Sequence, residues 1–176
     1  MENFYEKPLA ELTNEEWEQI CMRCGKCCLC KYSDNGFIHF SNQVCRYFNL
    51  TKGTCSCYDN RLEINKKDCR KVDLELLEHN LSLLPPECAY RRLYEGRGLP
   101  KYHPLLTGKK IPVKYTVASL PVFSETAIDE ARNAIYRQCF REKLTPKEIL
   151  EKQEEVNRKY ALKWLETYPE TIKPTV

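Results

Sequence analysis

The chain has 176 residues, 11 cysteines and a formal net charge of +3. That length can bury a real core, so the cysteines are not the staples a tiny secreted scaffold needs. Basic residues number 28 against 25 acidic ones, and acidic side chains separate the basic pairs Lys66–Lys67, Arg70–Lys71, Arg91–Arg92 and Lys109–Lys110, so the charge makes no case for nucleic acid.

The first residues are acidic and lack an apolar run, so no signal peptide is expected. Thr13 and Glu16 match a capping box, and Trp17 and Ile20 are the first apolar positions of a helix opening over residues 13–28. Run on, that helix would place Cys21, Cys24, Cys27 and Cys28 within an arc of about 120°. Gly25 weakens it, and the alternative is a helix end leading into a loop. Either arrangement converges the thiols. Residues 31–60 read as short strands or irregular structure with turns. Asn35–Gly36 marks a turn before Phe37, Ile38 and Phe40, and Gly53 marks another.

Leu74, Leu77, Leu81 and Leu84 keep helical spacing as far as Pro85–Pro86. A short helix is expected from Cys88 to Glu95, stopped by Gly96 and Gly98. Pro100, Pro104, Pro112 and Pro121 make residues 99–123 a loop with a strand at Val113 to Val117. Ile128, Ala131, Ile135 and Cys139 form a helical stripe. Thr145-Pro146-Lys147-Glu148 starts a further helix, with Ile149, Val156, Tyr160 and Trp164 along one face. These two helices are expected to form an antiparallel pair packed on the cysteine-rich part or on a partner.

Ten cysteines fall within residues 21–88, beginning with Cys21-x-x-Cys24-x-x-Cys27-Cys28. No stretch of about 18 apolar residues exists, so no membrane span is expected. Neither Glu2 nor the C-terminal Lys173-Pro174-Thr175-Val176 carries a lipidation signal. A cytoplasmic protein is expected, and its thiols would be kept reduced. An odd cysteine count also fits full disulfide pairing poorly. Reduced thiols this dense would repel as thiolates or oxidise unless a cation held them, so metal binding is the expected chemistry.

The candidate ligands are Cys21, Cys24, Cys27, Cys28, Cys45, Cys55, Cys57, Cys69 and Cys88. No second C-x-x-C follows, so the pattern is not a zinc ribbon. Cys28 arrives directly after Cys27, where a bacterial ferredoxin would leave three residues. Adjacent cysteines suit two neighbouring sites, or a bridge. Thiolate-rich sets suit zinc, iron and iron–sulfur clusters, or copper(I). Iron, alone or in a cluster, is placed ahead of zinc, because the surplus thiols exceed one four-coordinate zinc site. His39, His79 and His103 read as structural histidines before ligands. Cys139 continues an apolar stripe and reads as a core residue, and Cys30 as either a ligand or a spare thiol near the site. No nucleophile elbow, Walker loop, dinucleotide fingerprint or H-E-x-x-H appears, so no catalytic constellation is identified.

The runs Cys21–Cys28, Val44-Cys45-Arg46, Cys55-Ser56-Cys57-Tyr58-Asp59-Asn60-Arg61 and Asp68-Cys69-Arg70 resemble the bacterial family named for its CxxCxxCC signature. That family is also called YkgJ-like, and it is described as a zinc- or iron-chelating domain. The match is close to its YcgN-like branch. It includes Glu15-Glu16-Trp17, Pro86 with Cys88-Ala89-Tyr90-Arg91, Glu95-Gly96, Leu99-Pro100 and His103-Pro104-Leu105-Leu106-Thr107-Gly108, and it covers about residues 8–120. The resemblance implies Cys21, Cys24, Cys27, Cys28, Cys45, Cys55 and Cys69 as shared cysteines, with Cys57 and Cys88 as additions of the branch. It implies that Tyr58 and Arg61 brace the site. A relative with this signature, the flagellin lysine N-methylase, shows that the cluster can accompany methyl transfer, but no binding motif for S-adenosylmethionine is present in this chain.

The expected fold is a small α-rich domain, with α+β as the alternative, built on an irregular cysteine-rich metal-binding core and a C-terminal helical pair. Residues 1–122 would be the metal-binding domain and 123–176 a helical extension. The expected function is cytosolic chelation of iron or zinc. The alternatives are a structural zinc module that binds a partner protein through the C-terminal helices, or a cluster-dependent enzyme such as a protein methyltransferase.

Overall fold

The computed structural model describes residues 3–169; Glu2 and Lys173–Val176, read above for lipidation, lie outside the described residues. Helix α1 (Asn14–Ile20) starts at the expected capping box. The Thr13 hydroxyl accepts from the Glu16 N–H at 3.2 Å, and the Glu16 carboxylate accepts from the Thr13 N–H at 3.0 Å. The helix stops with Cys21 as its C-cap, so the remaining cysteines of the run lie on the loop alternative. Two left-handed residues turn that loop, Arg23 at φ 54° and Gly25 at φ 75°. A Cβ on Gly25 would stand 2.7 Å from Val117 Cγ1 and 2.9 Å from Phe48 Cε2, so only glycine fits.

Strands β1 (Leu29–Asp34) and β2 (Phe37–Val44) form a hairpin about the expected turn at Asn35 and Gly36, both with positive φ. A smaller hairpin follows, β3 (Phe48–Asn49) with β4 (Thr54–Cys55). Four short helices come next: α2 (Arg61–Ile64), α3 (Leu74–His79), α4 (Ala89–Tyr94) and α5 (Pro104–Thr107). The chain then forms β5 (Phe123–Ser124), α6 (Glu125–Glu142), α7 (Pro146–Lys159) and β6 (Trp164–Pro169). Helix α7 opens on the expected Thr145–Glu148 capping box, and α6 and α7 pack on each other as a pair.

The expectation of a small α-rich domain is overturned. Among the described residues 46% are helical and 16% lie in strands, and a four-stranded sheet is built around β2. Strand β2 is its hub. It pairs antiparallel with β1 on one side, and on the other with β6 antiparallel and β5 parallel. The physical reason lies in β2, whose Ile38, Phe40 and Val44 are buried and alternate in the two-residue period of a strand. Two further expectations fail. Val113 to Val117 is not a strand but part of two 3-10 turns, Val113–Tyr115 and Val117–Ser119, the first entered from Pro112. Trp164 does not lie on α7, which ends at Lys159; it opens β6.

Apart from Ile135 on α6, the buried hydrophobic residues form two clusters. Ile20, Met22, Leu76, Leu77, Leu84, Ala89, Tyr90 and Leu99 make the first, between α1, α3 and α4. Leu29, Ile38, Phe40, Val44, Phe48 and Val117 make the second, under the sheet. Where β2 bulges between these ladders, its buried polar residues are satisfied. Ser41 Oγ donates to the Cys30 carbonyl at 2.9 Å, and the Asn42 side chain donates to the Ala161 carbonyl at 3.1 Å and accepts from the Lys163 N–H at 2.9 Å.

Candidate metal centre

The cysteine loop lies where the two apolar clusters meet. Cys21 ends α1, and Cys88 is the N-cap of α4. These two helix ends are held together by Trp17, stacked on Tyr90 with ring centroids 5.1 Å apart, and by the Tyr90 hydroxyl, which donates to the Trp17 carbonyl at 2.9 Å. Cys24 is fixed by its carbonyl, which accepts from the Val117 N–H at 2.8 Å. Cys27 and Cys28 sit in a 3-10 turn that leads into β1, and the Cys28 carbonyl accepts from the Cys45 N–H at 2.9 Å.

The other candidate cysteines come from the small hairpin and the turn after α2. Cys55 stands opposite Phe48 in the β3–β4 ladder, three residues beyond Cys45. Cys55 Sγ and Cys57 Sγ are 3.8 Å apart. Asn65 links two more: its side-chain amide donates to Cys45 Sγ at 3.7 Å, and its carbonyl accepts from the Cys69 N–H at 2.9 Å. Tyr58 and Arg61 hold this half against α1. The Tyr58 hydroxyl donates to the Glu18 carboxylate at 2.6 Å, and the Arg61 guanidinium lies 3.9 Å from the Tyr58 ring centre.

Burial and mutual proximity set the protonation of these thiols. Burial, with the nearby Cys27 sulfur second, pushes Cys21 up to about 11 and Cys24 up to about 12. Burial also raises Cys88, with Cys27 and Cys24 adding to the effect. Cys45 and Cys69 are raised chiefly by burial. Desolvation and the hydrogen bond to Cys55 raise Cys57 to about 11. Cys27 runs the other way, to about 6. It accepts a hydrogen bond from the Cys28 thiol, whose own pKa rises in consequence, and the Lys31 ammonium and Arg61 guanidinium favour its charge. The Cys27 residue is exposed in a densely packed neighbourhood, whose desolvation opposes its charge without outweighing the Cys28 hydrogen bond. Lys31 Nζ is anchored by the carbonyls of Cys27 at 2.6 Å and Leu29 at 3.0 Å.

Among the described residues, no group of three or more His, Cys, Asp or Glu side chains stands close enough together to hold a metal ion. This corrects the expectation of a ready-built metal-binding core. Neutral thiols attract one another only weakly, so protein packing alone brings them near without closing them on a point. The donor set nevertheless suits a thiophilic ion. Two sulfurs bound to one tetrahedral zinc at about 2.3 Å stand about 3.8 Å apart, which is the Cys55–Cys57 separation.

The remaining candidates lie elsewhere. His103 is fully buried, accepts at Nδ1 from the Leu105 N–H at 3.1 Å, and donates from Nε2 to the Ile20 carbonyl at 2.9 Å. Both nitrogens are committed to structure. His39 meets Thr167 at 3.0 Å and Trp164 on the sheet. His79 lies at the end of α3, 4.0 Å from Glu78. Cys30 is raised to about 12 by burial and by Glu125, which faces it. Cys139 lies half-buried on α6. Sequence reasoning missed Asn65 and Lys31; an isolated asparagine and a strand lysine carry no local signal.

No family model and no solved structure matches the chain. Curated relatives do. A UPF0260 protein of Klebsiella pneumoniae (strain 342) is 41% identical over 129 residues, 70% of this chain and 86% of the relative. UPF0260 proteins of Yersinia pestis (strain Pestoides F) and Yersinia pseudotuberculosis (serotype IB, strain PB1/+) are each 45% identical over 107 residues, 60% of this chain and 71% of the relative.

Proposed function

The chain belongs to the UPF0260 family, and from that premise we propose that it is a chelator of the CxxCxxCC type, holding iron or zinc through cysteine thiolates. The observation that supports this reading is the density of the nine candidate cysteines between residues 21 and 88, with the Cys55 and Cys57 sulfurs at the spacing of two ligands on one ion. Iron, alone or in a sulfide cluster, is the first candidate and zinc the second, because both accept all-thiolate sets. Bound iron would supply one-electron chemistry, and bound zinc would supply structure.

The chain's own residues prepare the thiolates. Cys27 is the low-pKa thiol at which a cation would first be met, with Lys31 and Arg61 stabilising its charge. The other thiols must lose their protons to bind, so uptake releases protons and draws the loop and hairpin together. The Asn65 amide is placed to donate to Cys45 as a thiolate.

A second reading, a structural zinc module that docks a partner on its C-terminal helices, is supported by Tyr136 and Phe140. They lie four residues apart on one side of α6 and are 57% and 87% exposed.

The test is purification without oxygen, with metal analysis, labile sulfide and an absorption spectrum on one sample. Iron with sulfide and a visible band supports the first candidate; colourless protein with stoichiometric zinc supports the second reading. Protein that takes up neither metal, even after reconstitution, refutes chelation.

A further inference from the structure

We infer that the loop from Lys101 to Lys114 is a docking surface for an anionic phospholipid membrane, met from outside without being crossed. Peripheral contact needs no spanning helix, and none of the described helices is long and apolar enough to be one.

The loop is closed at its base. Tyr102 and Tyr115 stack nearly parallel, with ring centroids 3.6 Å apart, and so pin the two ends of the excursion together in the manner of an Ω loop. Leu105 and Ile111 pack against the first apolar cluster, and buried His103 is tied to the Leu105 N–H and the Ile20 carbonyl. Further out, Gly108 turns the chain at a left-handed φ of 65°. Thr107 fixes that turn: its hydroxyl donates to the His103 carbonyl at 3.1 Å and accepts from the Lys109 N–H at 3.3 Å.

The outer surface of this anchored loop carries one sign of charge. The chain holds 25 acidic residues, yet none falls between Glu95 and Glu125. Lys101, Lys109, Lys110 and Lys114 are all exposed, and among the described residues none of the four is in an ion pair. Arg97, the other cation of this stretch, is engaged by Glu87 and Glu95. On the same loop two large apolar side chains stay out of the core: Leu106 is 47% exposed and Val113 66%.

Exposed aliphatic side chains among unpaired lysines match the two components of a membrane surface, an acyl boundary under a layer of negative headgroups. Other anions fit this chemistry less well. A site for single-stranded nucleic acid needs aromatic faces free for bases, and here the two tyrosines stack on each other. Carboxylates on a partner protein favour arginine, whose planar fork binds them in pairs, and lysine is depleted from protein interfaces. The loop's free cations are all lysines.

Co-sedimentation of the full chain with vesicles tests this. The wild type should sediment with phosphatidylcholine vesicles in which one lipid in three is phosphatidylserine, and not with pure phosphatidylcholine. Binding should weaken as salt rises and screens the headgroups. Replacing Lys109 and Lys110 together with Ser should weaken it about 25-fold, about fivefold for each charge near the surface. Leu106→Ser should weaken it about tenfold and leave the salt dependence in place. Equal binding to neutral vesicles, or undiminished binding by the double lysine variant, would overturn the inference. Retention of single-stranded RNA or polyglutamate without vesicle binding would assign the loop to another anion and overturn it too.

A reporter at the loop gives a second readout. Leu106→Trp should show emission shifted to shorter wavelength on addition of the anionic vesicles, beyond any change in the wild type. Sedimentation without that shift would place the contact elsewhere on the molecule and overturn the assignment to this loop. Vesicle binding requires no bound metal, so its failure would leave chelation untouched.

Discussion

The Tyr90 hydroxyl donates to the main-chain carbonyl of Trp17 at 2.9 Å while the two rings stack at 5.1 Å. This pair spans the gap between α1 and α4 and sets the distance between Cys21 and Cys88. Replacing Tyr90 with Phe should cost about 1 kcal/mol through the lost hydrogen bond. Trp17→Ala removes the stacking surface and should cost about 3 kcal/mol. Urea denaturation of metal-free protein measures both, and equal losses would contradict the pairing described.

Gly25→Ala should be more damaging than Gly36→Ala. Both glycines have φ near the left-handed region, 75° and 77°, so both variants incur backbone strain of about 1 kcal/mol. Only at Gly25 does the added Cβ meet Phe48 and Val117, whereas nothing lies within 4 Å at Gly36. Overpacking should add about 1–3 kcal/mol. Thermal unfolding of the two variants gives the comparison.

Cys27 should be the first thiol alkylated in the metal-free protein. Its folded pKa, about 6, lies below the free thiol value of about 8.5. A depressed value contributes stability that is full above the unfolded pKa and is lost as pH falls through about 6. Cys21 and Cys24 have the opposite sign. Their folded values of about 11 and about 12 contribute stability that is full below the free thiol pKa and is lost as pH rises through the folded values. Iodoacetamide labelling against pH, read residue by residue, should show Cys27 reacting near pH 6–7 and Cys21 and Cys24 silent there.

His103→Phe should destabilise without touching metal content. It removes the Leu105 and Ile20 hydrogen bonds from a fully buried position and should cost about 2 kcal/mol. Burial holds the His103 pKa below that of a free imidazole, so the site contributes stability above about 6.5 and loses it as pH falls. Loss of bound metal in the folded variant would return His103 to the ligand set.

Cys139→Ser should leave metal content intact, because Cys139 lies half-buried on α6 and packs against neither of the apolar clusters that meet at the cysteine loop. Metal analysis of that variant decides it.

What could be read from the chain was local. Thr13 with Glu16, Asn35 with Gly36 and Thr145 with Glu148 each make their contacts within four residues, and each forms as read. The partners of β2 could not be read this way. His39 pairs with Thr167, and Ser41 with Trp164, across more than a hundred residues, and no short pattern encodes such a register. Trp164 therefore looked like a continuation of the α7 stripe, although Tyr160 already caps that helix. The cysteines were conspicuous by density, but the side chain that touches Cys45, Asn65, is an ordinary surface asparagine until the fold brings it there.

The position of β6 bears on how the molecule is made. The β1–β2 hairpin leaves the ribosome with one side of β2 uncovered, and its cover, Trp164–Pro169, is synthesised more than a hundred residues later. Throughout that interval Phe37 to Ser41 offers a bare row of peptide groups to any passing strand. A chain cut before Trp164 should therefore self-associate through this row, seen as light scattering that grows with concentration, while the full chain stays free of it.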